Sequence, residues 1–458
     1  MNKDLKKSIK KPKKIKKIKP KKEISKKKKI FNIVFYSVCS LVIVGSVSYL
    51  IYYFVDENKD NSWDGASEYI SKRTLALQFA FQDSTGSGAK YVGGTGWIIN
   101  KESDSNTYYI ATNLHVASAL TYENKEIYSY ESNSWTSYGS IVQSLVGYVN
   151  SDIGKGSSSS SDNTKMITVA KPTVVYKPSD DSNWNYPKLY GLSPKDFNDG
   201  KTEYSTTADF AILKYNFSSN DLLNQHINSD NNSILNSQTQ VNDFANWLKS
   251  GYDSNPTKFL NKSIQEVDNW QNLKYSMGGF PGNTGTNYGI TSSNLNYLHQ
   301  SWESYSNFTL ENNRINNYGT AGDLYRDASN GTYTDPIVWA KDNAQNSSGN
   351  KYSSGYINVA YKGILSSHSR NGSSGSMLIT YLDNEAYVVG IYWGITQFGS
   401  SSGENLDLGT ADFFYTNSNG SFGNTNYSGY NLIQWSYSYL ATNNAKLFFD
   451  PTKNQINN

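Results

Sequence analysis

Hydropathy along the chain changes period three times. Residues 30–55 run for 26 positions without a charged side chain, include Leu41-Val42-Ile43-Val44 and close on Tyr52-Tyr53-Phe54-Val55. A helical bilayer span needs about 20 such residues, and a core helix of this length normally keeps a polar face, so the run predicts a membrane-crossing helix. A polar stretch at 56–72 follows, and then apolar and polar positions alternate in short runs. Residues 75–81, 93–100, 108–116, 168–170, 173–176 and 208–215 read as strands between Ser, Asp, Asn and Gly loops; the loosest loop, 154–162, holds five consecutive serines. The second and third of these runs predict a hairpin whose second strand ends at His115. Between 218 and 273 the pattern becomes helical. Ile234, Val241, Phe244 and Leu248 recur near helical spacing, and Ser263-Ile264-Gln265-Glu266 has the form of a capping box ahead of Val267 and Trp270. Strand character returns at 275–282, 336–339, 356–361, 377–381 and 386–394, the last two joined by a turn at Asp383-Asn384-Glu385. The segment 283–365 otherwise predicts long loops.

Charge divides the chain at the apolar run. Of 42 basic and 39 acidic residues, 16 lysines and only Asp4 and Glu23 lie in residues 1–29, a local charge of +14, and the remainder carries −11. By the positive-inside rule the lysine-rich end stays in the cytoplasm and everything beyond Val55 lies outside the cell. A cleaved signal peptide is the rival reading. The long lysine tail, the length of the apolar run and the lack of an A-x-A site favour an uncleaved signal anchor. No aromatics interleave with the lysines, which suits anionic lipid and not nucleic acid. The one cysteine, Cys39, falls within the span behind Val38, so it is a poor lipidation site and the outer part has no disulfide. No metal or cofactor is expected: H-E-x-x-H is absent, the four histidines do not cluster, and GSGAK at 86–90 lacks the Ser/Thr of a phosphate loop.

Against this background Gly372-Ser373-Ser374-Gly375-Ser376 stands out, although such a pentapeptide alone is usually a flexible linker. It can place one hydroxyl and the N–H groups of Gly372 and Ser374 around a single point, as acyl transfer requires. A histidine and an acid are needed beside it. His115 follows a predicted strand, whereas His226 and His299 sit in polar context. Asp209 opens the apolar run Phe210-Ala211-Ile212-Leu213, where it can fix the tautomer of a histidine, although aspartate before a strand commonly serves only as a turn residue. Asp196 lacks the apolar continuation, and Asp412 lies after the serine.

The GTGW strand, T-N-L-H-V, D-F-A-I-L, G-S-S-G-S and V-G-I-Y-W-G occur in the order of the chymotrypsin-like serine proteases. More narrowly, residues 70–445 resemble the mycoplasma immunoglobulin protease family. The resemblance implies an all-β-dominated fold of two Greek-key β barrels with a helical insertion and long loops, preceded by one transmembrane helix. Together with the charge and hydropathy readings above, it divides the chain into a basic cytoplasmic tail (1–29), a signal anchor (30–55), a stalk (56–72), an N-terminal barrel (73–217), a helical connection (218–273), a C-terminal barrel (274–445) and a tail (446–458). It implies His115 as general base, Asp209 as orienting acid and Ser374 as nucleophile, with Gly372 and Ser374 supplying the oxyanion hole. His368 falls at the base of the pocket for the residue before the scissile bond; it is no aspartate, which argues against a preference for Lys or Arg. Tyr392, Trp393 and Gly394 match the strand that pairs with substrate. The expected substrate is an immunoglobulin heavy chain held by a separate antibody-binding protein. The chain departs from the wider pattern at Ser373, in place of an acid, and at Ser376, in place of a second glycine. The missing acid argues against activation by a new N-terminus. Two other classes share the outline: a protease fold that grips a host protein without cutting it, and a surface quality-control protease, for whose usual peptide-binding domain the roughly 60 residues after Gly394 leave no room.

Overall fold

The computed structural model describes residues 63–457 except 83–88, 130–133, 150–163, 185–188, 191–202, 228–229, 282–302, 317–338, 342–351, 359, 367–368, 370–371, 400–404, 418–419, 423–424 and 428. The expected anchor at 30–55, Cys39, Asp196, His299 and His368 lie outside the described residues. Among the described residues no helix is long and apolar enough to cross a membrane.

Two seven-stranded antiparallel sheets dominate. The first is built from β1 (Thr74–Gln82), β2 (Ala89–Lys101), β3 (Thr107–Thr112), β4 (Ile141–Val149), β5 (Thr164–Val169), β6 (Thr173–Tyr176) and β7 (Ala211–Asn216), in the order β5-β4-β1-β2-β3-β7-β6. The second contains β8 (Tyr275–Gly279), β9 (Glu303–Phe308), β10 (Leu310–Asn316), β11 (Lys362–Leu365), β12 (Met377–Leu382), β13 (Glu385–Gly399) and β14 (Asn405–Phe413), in the order β9-β8-β12-β13-β14-β11-β10. A six-stranded sheet draws on both halves of the chain and includes a parallel pairing of Glu203–Thr207 with Tyr352–Asn358.

The first sheet is buried on both faces, and the period of two decides which core each side chain enters. Leu75, Leu77, Phe79 and Phe81 of β1 join one cluster, with Ile110 of β3 and Leu213 of β7. The intervening Ala76, Ala111 and Ile212 face a second cluster, which they share with Met277, Leu378, Ile391 and Phe413 of the other sheet. Trp97 is fully buried in this second cluster, with its ring 6.0 Å from those of Phe259 and Phe414.

Helices close the ends of these cores. Residues 56–72 were expected as a stalk, yet α1 (Trp63–Ser71) sends Ala66 and Ile70 into the shared cluster. In the expected helical connection, α2 (Gln238–Ser250) is started by a capping box: Gln240 N–H donates to Ser237 Oγ at 3.2 Å and Ser237 N–H to Gln240 Oε1 at 2.8 Å. Its Val241, Phe244, Trp247 and Leu248 cover the first cluster. The connection is not wholly helical, since His226–Ile227 pairs with Asp230–Ile234. At Ser263 the Glu266 carboxylate accepts the N–H at 2.8 Å, but the segment closes after the single 3₁₀ turn Ile264–Glu266. The expected tail at 446–458 instead packs against the end of β2: Asn100 Nδ2 donates to Phe449 O at 2.7 Å, and Leu447 and Phe449 are buried. Between β12 and β13, Asp383 and Asn384 take φ of 52° and 64°, the left-handed pair of a two-residue hairpin turn.

Because Trp97 joins the two sheets, Trp97→Ala should cost about 3–5 kcal/mol. Urea denaturation checks this, with Gln82→Ala at the exposed end of β1 expected within about 0.5 kcal/mol of the parent.

Candidate active site

Three chain segments that end or begin strands meet at one place. The strand expected to run to His115 stops at Thr112; Asn113 then opens a one-turn helix, Leu114–Ala117, whose buried Leu114, Val116 and Ala117 pin it to the body. His115 is its outward residue. Asp209 lies two residues before β7, between the fully buried Ala208 and Phe210. The Asn113 side chain ties the two segments, donating from Nδ2 to Asp209 O at 2.7 Å.

Asp209 grips His115 with both oxygens. His115 Nδ1 lies 2.6 Å from Asp209 Oδ2, and His115 N–H donates to Oδ1 at 3.0 Å. A carboxylate only accepts, so the Nδ1 proton faces Asp209 and Nε2 is left with its lone pair. The His115 side chain is 32% exposed and that of Asp209 0%, so the ring reaches the surface while the acid is sealed behind it.

A second sealed acid stands next to the first. Asp412 of β14 is fully buried, accepts from Lys362 Nζ at 2.9 Å and Asn358 Nδ2 at 2.7 Å, and has its Oδ2 3.4 Å from Asp209 N. Burial pushes the Asp412 carboxyl above its ordinary value, Lys362 pulls it back, and the Asp209 charge pushes it up again. For His115, partial burial opposes the charged ring, but the Asp209 carboxylate, by charge and by hydrogen bond, outweighs it with help from Asp412. The pKa therefore rises above the ordinary 6.5.

The glycine-serine loop arrives from the second sheet, directly before β12. Gly372 and Gly375 have φ of 97° and 95°, conformations that favour glycine. Gly375 also has no room for a side chain: a Cβ there would lie 1.9 Å from Thr95 O and 2.6 Å from Thr112 Oγ1. A Cβ added to Gly94 would lie 2.5 Å from Val116 Cγ2 and 3.1 Å from Ser374 O, so the residue after His115 and the carbonyl of Ser374 flank one glycine. Among the described residues the N–H groups of Gly372 and Ser374 have no acceptor. The Ser374 hydroxyl donates to Trp393 O at 3.0 Å, so in this state it is directed at β13 and not at the imidazole.

The residues expected along the substrate strand divide. Tyr392 is buried, its N–H donates to Ser376 O at 2.8 Å and its carbonyl accepts Gly375 N–H at 2.9 Å. Its backbone thus supports the loop and is not available to pair with substrate. Trp393 and Gly394 are partly exposed, and a Cβ on Gly394 would meet nothing within 4 Å. The motifs do not include Asn358 or Ser369; Thr95 stands inside the GTGW strand, where it reads only as a strand residue. Asn113 stood inside T-N-L-H-V, where a buried asparagine before a histidine was the available signal.

A reaction that needs neutral His115 loses rate as pH falls through the raised pKa, so its acidic midpoint should lie above 6.5. Asp412→Asn should lower that midpoint, because one of the charges favouring imidazolium is gone. Fluorophosphonate labelling rates from about pH 5 to about pH 9 measure both. The same shift makes the protonated His115 stabilising below its unfolded pKa, a contribution lost as pH rises through the folded value.

The sequence of residues 65–394 matches a family described as mycoplasma immunoglobulin protease. No curated protein matches the chain. Among solved structures it is similar to a thermostable serine protease from an extremophilic microorganism, at 10% identity over 75% of this chain and 92% of that one, with a TM-score of 0.27. It is also similar to an M. tuberculosis protein in an inactive form, at 12% identity over 76% of this chain and 86% of that one, with a TM-score of 0.28.

Proposed function

The chain belongs to the mycoplasma immunoglobulin protease family, and on that premise we propose that it is a membrane-anchored extracellular serine endopeptidase whose triad is Ser374, His115 and Asp209. The two antiparallel sheets are then the two barrels of a chymotrypsin-like fold, with the acid and base on the first and the nucleophile on the second. The observation that carries the reading is the Asp209 carboxylate bound to both His115 Nδ1 and His115 N–H, because it leaves Nε2 as a proton acceptor at the protein surface.

In this mechanism the Ser374 hydroxyl leaves the Trp393 carbonyl by rotation about its Cα–Cβ bond, at a cost of about 1 kcal/mol for the hydrogen bond given up. His115 Nε2 takes its proton as Oγ attacks the scissile carbonyl. The oxyanion that forms accepts the N–H groups of Gly372 and Ser374, which have no other acceptor among the described residues. His115 then passes the proton to the leaving amine, and water releases the acyl group by the same steps reversed. Asp209 keeps its charge throughout.

The family's description supports immunoglobulin as the substrate, and the 26-residue apolar run with its lysine-rich flank supports anchoring at the cell surface. A separate antibody-binding protein on the same surface would raise the local concentration of antibody at the cleft toward about millimolar. Ser374→Ala in the full chain should lower hydrolysis roughly 10⁶-fold with unchanged thermal unfolding. His115→Ala should cost about as much, and the double variant little more. Intact IgG should be cut slowly alone and quickly into discrete fragments beside its captor, as gel electrophoresis and N-terminal sequencing of the products would read. Rapid cutting of short peptides with antibody untouched beside the captor would instead favour a quality-control protease.

A further inference from the structure

N–H groups stabilise an oxyanion only if their peptide planes are turned toward it in advance, since reorientation during the reaction would consume the gain. In residues 372–375 each successive plane is held by its own hydrogen bonds. The Gly372 carbonyl accepts the Thr95 hydroxyl at 3.0 Å. The Ser373 carbonyl accepts the Ser376 N–H at 3.0 Å and the Ser376 hydroxyl at 2.6 Å. C=O and N–H point opposite ways in a trans peptide, so this second plane turns the Ser374 N–H outward from the loop. In the third plane the Ser374 carbonyl accepts Thr95 N–H at 2.8 Å while Gly375 N–H donates to Tyr392 O at 2.9 Å.

Thr95 therefore holds two of the three planes, and it does so from β2 of the other sheet. Its hydroxyl is itself oriented. Phe280 N–H donates to Thr95 Oγ1 at 3.0 Å, which directs the hydroxyl proton to Gly372 O. Thr112 Oγ1 donates to Thr95 O at 2.7 Å, and Thr95 is fully buried. On the far side of the loop Ser373 Oγ lies 2.5 Å from Ser369 Oγ. Every one of these groups is uncharged.

We propose that Thr95 is a positioning residue for the oxyanion hole: its hydroxyl and N–H lock the peptide planes on either side of the one that carries the Ser374 N–H, and so set that donor before substrate arrives. This rests on the serine-protease reading above. A neutral latch of this kind needs no ion pair with a newly made N-terminus, and it does not titrate with His115.

The test is the rate at which a fluorophosphonate labels Ser374 in the full chain, because its phosphoryl oxygen must enter the same hole. Thr95→Val keeps the shape and removes the hydroxyl; labelling should slow about 10²-fold. Thr95→Ser should restore it to within about threefold of the parent, and the acidic midpoint set by His115 should stay where it is in both variants. If Thr95→Val labels within about threefold of the parent, even with lowered thermal stability, Thr95 is only a structural strut and the proposal is overturned. Should Thr95→Val fail to fold, Thr95→Ser decides: parental labelling supports the hydroxyl latch, and a loss of about 10²-fold overturns it. A parent chain that takes no label at Ser374 overturns the serine-protease reading, and this proposal with it.

Discussion

Two carboxylates sealed from water, Asp209 and Asp412, impose the main constraint on this molecule. An isolated buried charge is costly, and breaking a buried pair by removing one partner typically costs about 3–5 kcal/mol, so each acid must be matched by groups that stay in place. Asp412 is met by Lys362 and Asn358 of the second half of the chain. Asp209 is met by the ring and backbone of His115 in the first. Asn358 links the two, since its Oδ1 accepts Asp209 N–H at 3.3 Å while its Nδ2 serves Asp412. The orientation of one imidazole is thus tied to three separate segments. Lys362 extends the link further, with Nζ 5.0 Å from the Trp393 ring, beside the carbonyl that receives the Ser374 hydroxyl.

The second constraint is the close approach of two backbones. Gly375 lies so near Thr95 that any side chain would overlap its carbonyl, and Gly94 is closed in by Val116 and Ser374. Such contacts allow little sliding between the sheets, because interiors at crystal-like density cannot give by an ångström without losing many contacts. The groups proposed as base, acid and nucleophile sit just outside strand ends: His115 after β3, Asp209 before β7 and Ser374 before β12. Ladder hydrogen bonds are finished there, and the chain is free to turn polar groups toward a common point.

The sequence by itself determined several strands of each sheet, because a half-buried or fully buried strand writes its environment into a period of two; it did not mark β4 or β14, and β9, β10 and β11 lie where long loops were expected. The runs at 75–81 and 377–381 matched β1 and β12 closely, and that at 208–215 overlaps β7 only from Ala211 on. It also marked Ser374 through the glycines that its loop conformation demands, and His115 and Asp209 through their places at strand ends. Local pattern was less informative where tertiary contacts override it. Residues 56–72 and 446–458 look like polar connectors, yet Ile70, Leu447 and Phe449 are buried, because a few apolar side chains suffice to dock a short segment onto an existing core. Only the tertiary structure decided the second ring of the site. Thr95 and Gly372 are 277 residues apart, and Asp209 and Asp412 are 203 apart. A threonine in a strand reads as an ordinary β-former, and an aspartate after an alanine reads as a turn. What each does depends on which hydrogen-bonding group the fold brings within about 3 Å of it, and no periodicity records that distance.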